Sequence, residues 1–102
     1  QRQMCIRDSL ISALIQHEKI ETTVTKAKTV KPYAEKIITK AKKGSLHDRR
    51  QVLKTIQDKS VVAKLFEEIG PKYEDRDGGY TRITRTRHRQ GDGTELAILE
   101  LV

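Results

Sequence analysis

The feature that most constrains the fold is a set of apolar residues at helical spacing in the first half of the chain. They recur every three or four residues and leave lysines on the opposite side. The set comprises Ala27, Val30, Ala34, Ile37, Ile38 and Ala41. The pattern predicts an amphipathic helix from Thr25 with one face in a core, ended by Gly44. Pro32 lies inside it and predicts either a kink or a later start.

A helix and a strand are predicted before this segment. Ser9 is a candidate N-cap, and apolar pairs four residues apart continue to Gln16. Residues 19–24, KIETTV, are rich in β-branched side chains, which favour a strand. Residues 1–8, QRQMCIRD, fit neither period, and we interpret them as a disordered tail or a non-native remnant. Residues 9–102 then form a single domain, as expected for a chain of 102 residues.

Two more helices are predicted after the glycine. SLHD (45–48) resembles a capping box with aspartate in place of glutamate, and it opens a helix through Gln57. The residues predicted to face inward are Leu46, Leu53 and Ile56. The next helix starts at Asp58 or Ser60, carries its own apolar stripe, and is predicted to end at Gly70-Pro71.

The last third of the chain predicts a β-hairpin. Residues 80–89, YTRITRTRHR, alternate with β-branched side chains, and residues 95–102, ELAILELV, read as a partly buried strand. Gly91-Asp92-Gly93 lies between them as a turn signal. The whole order is α-β-α-α-α-β-β. It predicts a two-layer α+β domain, in which a small three-stranded sheet carries helices on one face.

Composition excludes several classes of protein. No run approaches 18 apolar residues, so no transmembrane helix and no membrane partner are expected. Only 4% of residues are aromatic, which disfavours a small-molecule pocket. No phosphate-binding glycine loop or nucleophile motif occurs, and Cys5, His47 and His88 are isolated. We therefore expect no catalytic residues, no metal site and no cofactor.

Positive charge is concentrated in two blocks of the sequence. The net charge is +7, yet residues 19–54 hold eleven positive and three negative charges, and residues 76–90 hold five and one. Between them, residues 55–75 are mildly acidic. Two basic blocks on one small domain are typical of a nucleic-acid-binding surface. The alternative is a basic surface without a partner.

The second block contains the sharpest local pattern, an arginine-rich strand. Arg85, Arg87 and Arg89 are predicted to share one face, with Arg82 on the other. Guanidinium groups in a row repel one another unless anions lie alongside, and their forked donors match phosphate oxygens. The alternative is an edge strand protected from aggregation by its charge. Tyr80, at the start of the strand, is expected either to stack on a base or to pack on the sheet.

Three segments go beyond general basicity. They are HEKIETTVTKAKTVKPYAEKIITKAKKG (17–44), VVAKLFEEIGPKYEDRDGGYTRI (61–83) and the ending ELAILELV (95–102). Together they resemble the bacterial large-subunit ribosomal protein family numbered seventeen, and the resemblance covers nearly everything from Leu10 onward. It implies a non-enzymatic component of the cytoplasmic ribosome that binds 23S rRNA near the peptide exit tunnel, beside other large-subunit proteins. It also implies the helix and strand order given above.

The resemblance has one departure. Members of the family begin with a basic extension rich in arginine and histidine, whereas here Arg2 and Arg7 are the only basic residues before Ser9. We therefore expect full assembly of this chain to depend on such an extension.

Basic residues of both blocks are the candidate phosphate contacts, because lysine and arginine neutralise RNA phosphates and release counterions. Docking is expected to depend on RNA shape more than on base edges. The candidate RNA-binding residues are Lys26, Lys28, Lys31, Lys40, Lys42, Lys43, Arg49, Arg50, Arg76, Tyr80, Arg82, Arg85, Arg87 and Arg89. The rival hypothesis is a DNA-binding regulator, but Glu67 and Glu68 on the second of the paired helices disfavour insertion into a groove.

Overall fold

The structure is a computed structural model that describes residues 2–102, with side chains from Arg7 onward. The first four elements are α1 (Arg2–His17), β1 (Lys19–Thr23), α2 (Val24–Lys43) and α3 (Leu46–Thr55). Helix α4 has three parts, which are α-helical Lys59–Lys64, a π-helical turn Leu65–Ile69 and a last turn Gly70–Lys72. Strands β2 (Thr81–His88) and β3 (Glu95–Leu101) complete the chain. The predicted order and the α+β class are confirmed.

The sheet is three-stranded and antiparallel, with β3 in the centre and β1 and β2 at its edges. Leu99 of β3 lies opposite Ile20 of β1 and Ile83 of β2, and these three side chains face the helices. Ile98 is on the other face, opposite Glu21 and Thr84. The helices therefore cover one face of the sheet, as predicted.

Helix α2 lies at the centre of the core. All six residues of the apolar stripe are buried, together with Val24. The Thr23 hydroxyl accepts from the Lys26 amide at 3.2 Å, and this N-cap begins the helix. The alternative of a late start is therefore wrong, and the helix continues through Pro32. At the other end Gly44 adopts a left-handed conformation, φ 67°, which closes the helix as the sequence predicts.

Helix α1 begins earlier than predicted. It starts at Arg2, so Ser9 lies within the helix and is not its N-cap. Residues 2–8 are helical, and Arg7 and Asp8 are half-buried. Arg7 contacts α2, because its guanidinium lies over the Tyr33 ring at 4.0 Å from the ring centroid. Gln1 and the side chains of residues 1–6, including Cys5, lie outside the described part of the chain.

The inward face predicted for α3 is confirmed only in part. The Ser45 hydroxyl accepts from the Asp48 amide at 3.1 Å and donates to the Asp48 carboxylate at 2.6 Å, so the predicted cap forms. However, Leu46 is 64% exposed, and its predicted burial is wrong. Ile56 is buried and Leu53 packs against the core, both as predicted, and Val52, one turn before Ile56, completes the buried face.

Helix α4 continues through Gly70-Pro71, so the predicted end is also wrong. Gly70 has right-handed helical angles, φ −56° and ψ −55°, and its amide donates to the Leu65 carbonyl five residues earlier. A Cβ atom at Gly70 would lie 2.7 Å from the Ala41 carbonyl oxygen. This glycine therefore allows α4 to approach the backbone of α2 closely, and it does not terminate the helix.

Candidate nucleic-acid interface

The arginines of β2 and of the following turn all form ion pairs within the protein. Their side chains remain more than half exposed, and their partners come from three separate parts of the chain. The pairs are Arg82–Glu100 at 2.5 Å, Arg85–Glu95 at 3.0 Å, Arg87–Glu21 at 3.4 Å and Arg89–Asp92 at 2.7 Å. Carboxylates of the protein itself therefore supply the anions that this row of guanidinium groups requires.

Arg82 and Arg85 are on opposite faces as predicted, but the prediction that Arg87 shares the face of Arg85 is wrong. The register between β2 and β3 shifts between Arg85 and His88, and an irregularity of this kind breaks the simple alternation of side chains. Arg87 reaches Glu21, which is on the helix-free face with Glu100, the partner of Arg82. Arg82 and Arg87 therefore bond carboxylates of the same face, and Arg85 does not share it with them.

Arg89 closes the hairpin turn. Its guanidinium donates to both oxygens of the Asp92 carboxylate, which also accepts from the Thr94 amide at 3.0 Å. The hydrogen bonds from Arg89 are the main cause that lowers the pKa of Asp92 far below its ordinary value, and the Thr94 amide adds to the effect. In return, the pKa of Arg89 is raised.

Three of the candidate residues pack or form hydrogen bonds within the protein. Tyr80 is only 2% exposed, and its ring packs against Tyr73 with 5.1 Å between the centroids. Of the two expectations for Tyr80, the structure therefore shows packing. Lys42 donates to the Tyr80 hydroxyl at 2.8 Å and also to the Arg76 carbonyl. The Arg76 guanidinium donates to the Val102 carbonyl at 3.1 Å, so it fastens the end of β3.

The remaining candidate lysines of α2 have a different environment. Across the side chains that the structure describes, from Arg7 to Val102, no carboxylate lies within ion-pair distance of them. They are Lys26, Lys28, Lys31, Lys40 and Lys43, and we call them the α2 lysines. Arg49 and Arg50 of α3 follow across the junction at Gly44, with the Arg49 guanidinium 5.3 Å from the Phe66 ring centroid. Basic residues therefore lie on both sides of the junction between α2 and α3.

Glu35 is a residue that the sequence analysis missed. Its carboxylate accepts from the Gly79 amide at 3.1 Å, the Thr81 amide at 3.2 Å and the Thr81 hydroxyl at 2.7 Å. These bonds attach the start of β2 to α2. No local signal predicts them, because the partners are more than forty residues apart in sequence.

Tyr33 is the second residue that was missed. It is 40% exposed on the side of α2 next to α1, where Arg7 and Lys36 lie over its ring at 4.0 and 5.7 Å. These side chains line a small cavity of about 140 Å³ together with Asp8 and Lys40. Its position outside the apolar stripe of α2 is the sequence signal that could have found it.

Other kinds of site find little support. Among the described residues, no group of three or more histidine, cysteine or acidic side chains is arranged to hold a metal ion. No helix within residues 2–102 combines the length and apolarity needed to cross a membrane. A shallow groove of about 430 Å³ lies between α1 and the end of α3, with a mixed lining in which Ser9, Ser12 and Gln16 alternate with apolar groups of Ala13 and Ile56.

The comparison with known families agrees with this geometry. The model of the family described as Ribosomal protein L17 matches residues 6–102, which is nearly the whole chain and includes Ile6–Asp8 of the segment set aside above. Proteins of this family are structural components of the large ribosomal subunit and are not enzymes, so they belong to the translation machinery of the cytoplasm. Because the match spans far more than half of the sequence and includes both α2 and the hairpin, this chain belongs to the ribosomal protein L17 family.

Proposed function

We propose that the protein binds 23S rRNA chiefly through the α2 lysines, with Arg49 and Arg50 extending the surface across the junction to α3. The observation that carries this proposal is the absence of ion-pair partners for these lysines within residues 7–102. Their charge can therefore be neutralised by phosphates without breaking an internal contact. The buried opposite face of α2 holds the lysines in a fixed arrangement.

The β2 arginines make a second, weaker contribution by exchange. Exposed ion pairs contribute only about 0–1 kcal/mol each, so a phosphate can replace the carboxylate at Arg82, Arg85 or Arg87 at little cost. The fork of a guanidinium fits phosphate oxygens as well as it fits a carboxylate. In this arrangement the carboxylates hold the arginines in place until RNA arrives.

A position near the peptide exit tunnel, beside other large-subunit proteins, is part of the same proposal. It is supported by the family resemblance. Lys42, Arg76 and Tyr80 are left out of the proposed contact surface because their polar atoms bond within the protein. His47 and His88, which the sequence analysis also set aside, are exposed and have no role in it.

Binding to 23S rRNA over a series of salt concentrations tests the proposal. The α2 variant replaces Lys26, Lys28, Lys40 and Lys43 by Gln, and the β2 variant replaces Arg82, Arg85 and Arg87 by Gln. Each lost phosphate contact lowers the slope of log affinity against log salt by roughly 0.7–0.9. We expect the α2 variant to lose most of that slope and the β2 variant to lose less. An unchanged slope in the α2 variant would overturn the proposed surface.

A third variant serves as the matched control for exchange. Replacing Glu21, Glu95 and Glu100 by Gln removes three partners of the β2 arginines and leaves every basic residue in place. If arginines exchange carboxylates for phosphates, this variant binds rRNA more tightly than the wild type. Sedimentation with the large subunit at low and high salt then shows whether the same surfaces act in the assembled particle.

A further inference from the structure

Tyr33 differs from the other tyrosines of the chain. Tyr73 and Tyr80 are each 2% exposed and form a buried pair, whereas Tyr33 is 40% exposed on the surface of α2. The only other large hydrophobic residue that is similarly exposed among the described side chains is Leu46. The core covers this ring only in part, so the charged side chains around it are informative.

Those surroundings are basic. The Arg7 guanidinium lies over the ring, 4.0 Å from its centroid, and the Lys36 ammonium is 5.7 Å from the same point. Lys40 lines the same cavity, and so does Asp8, which is its single acidic residue. With three positive charges and one negative charge around an aromatic ring, the site attracts an anion that also carries a flat apolar group. A nucleotide of RNA has both features.

We infer that the Arg7–Tyr33 pair is a stacking platform for one unpaired base of the bound RNA, with Lys36 and Lys40 on the flanking phosphates. This inference rests on the proposed rRNA-binding function. Unpaired bases stack on aromatic rings and on guanidinium planes, and such stacking tolerates any base. The cavity of about 140 Å³ is below the roughly 300–1,000 Å³ of small-molecule pockets, so it suits one inserted base better than a free ligand.

Arg7 lies inside the part of the chain that the family model matches. Its contact with Tyr33 also joins α1 to α2, so a purely structural role must be distinguished from stacking. The two roles differ in their effect on RNA affinity. A structural contact changes protein stability alone, whereas a stacked base changes affinity by an amount that does not depend on salt.

The test measures affinity of the full chain for 23S rRNA at several salt concentrations. Replacing Tyr33 by Leu keeps an apolar side chain but removes the ring, and Tyr33→Phe keeps the ring. We expect Tyr33→Leu to weaken binding roughly 5- to 100-fold with an unchanged salt slope, and Tyr33→Phe to bind like the wild type. Lys36→Gln should instead reduce the slope by roughly 0.7.

Ultraviolet crosslinking of the wild-type complex gives a second readout that needs no variant. We expect a nucleotide adduct on Tyr33, with the buried Tyr73 and Tyr80 as internal controls. If the wild type binds rRNA but Tyr33→Leu binds equally well, or if no adduct forms on Tyr33, the stacking platform is overturned and rRNA binding stands. If the folded wild type does not bind rRNA, the proposed function itself fails.

Discussion

Helix α2 carries seven lysines and strand β2 three arginines, and folding gives the two groups opposite electrostatic environments. The α2 lysines have no ion-pair partner among residues 7–102, while Arg82, Arg85 and Arg87 each bond a glutamate from another strand. Two of those glutamates, Glu95 and Glu100, belong to residues 91–102, in which every charged side chain is acidic. A charge count along the chain therefore overstates how basic the hairpin is in space.

The two regions also differ in mechanical support. Helix α2 buries its apolar stripe under α1, α3 and α4, and its backbone touches α4 at Gly70. Most of β2 beyond Ile83 is exposed on its edge of the sheet. The comparison teaches that a rigid helix with unpaired lysines suits a fixed RNA contact, whereas a paired, exposed strand suits exchange of partners.

The largest change in stability is expected from a substitution that disturbs the contact between α2 and α4. Gly70→Ala places a Cβ against the Ala41 carbonyl, and overpacking of this kind costs about 1–3 kcal/mol of unfolding free energy. Urea denaturation measures the change. Leu46→Ala is the control, because Leu46 is 64% exposed and its truncation should change stability by no more than about 0.5 kcal/mol. Equal stability of Gly70→Ala and wild type would contradict the close approach of α2 and α4.

A smaller change in stability is expected to distinguish Lys42 from Lys28, two lysines of α2. Lys42→Met removes the donor to the Tyr80 hydroxyl and the Arg76 carbonyl, and we expect it to lower the unfolding free energy by about 1 kcal/mol. Lys28→Met, at an exposed position, should leave stability nearly unchanged but reduce the salt slope of rRNA binding by roughly 0.7. A reduced slope in Lys42→Met as well would show that Lys42 contacts RNA after all.

The smallest effect concerns the pH dependence of the hairpin turn. The folded protein lowers the pKa of Asp92, so in acid the unfolded chain binds more protons at this residue and stability rises with pH. The contribution is complete above the ordinary Asp pKa of about 3.9 and is lost as pH falls toward the lower folded value. Relative to its intrinsic rate, amide hydrogen exchange at Gly93 and Thr94 should therefore speed up progressively as pH falls below about 3.9. Asp92→Asn should remove this pH dependence, and protection that stays constant below the ordinary Asp pKa in the wild type would contradict it.

Helix α2 and the β2–β3 hairpin could be predicted from the sequence because the patterns that indicate them are local. The apolar stripe of α2 repeats over four turns, and the hairpin combines alternation with a glycine turn. The ends of α1 and α4 could not be predicted in the same way. Arg7 lies in α1 and contacts Tyr33 of α2, and Gly70 lies in α4 and allows it to approach Ala41 of α2. No local sequence pattern shows these contacts between helices.

The candidate site divides along the same line. The two basic blocks were visible in the sequence, and the three motif segments lead to the correct family. Sequence could not distinguish Lys42, which turns inward to Tyr80, from Lys43, which is exposed one residue later. It also missed Glu35, since a single glutamate among lysines predicts no particular partner.

By itself, the sequence determined the α+β order, the core stripe of α2, the excess of positive charge and, through its motifs, the family. Those properties follow from local periodicity and composition, which neighbouring residues fix together. Only the tertiary structure decided which cations remain unpaired, since pairing brings Glu21 beside Arg87 across 66 residues of chain. Electrostatic pairing depends on distance in space, and distance in space is set by how the strands and helices pack.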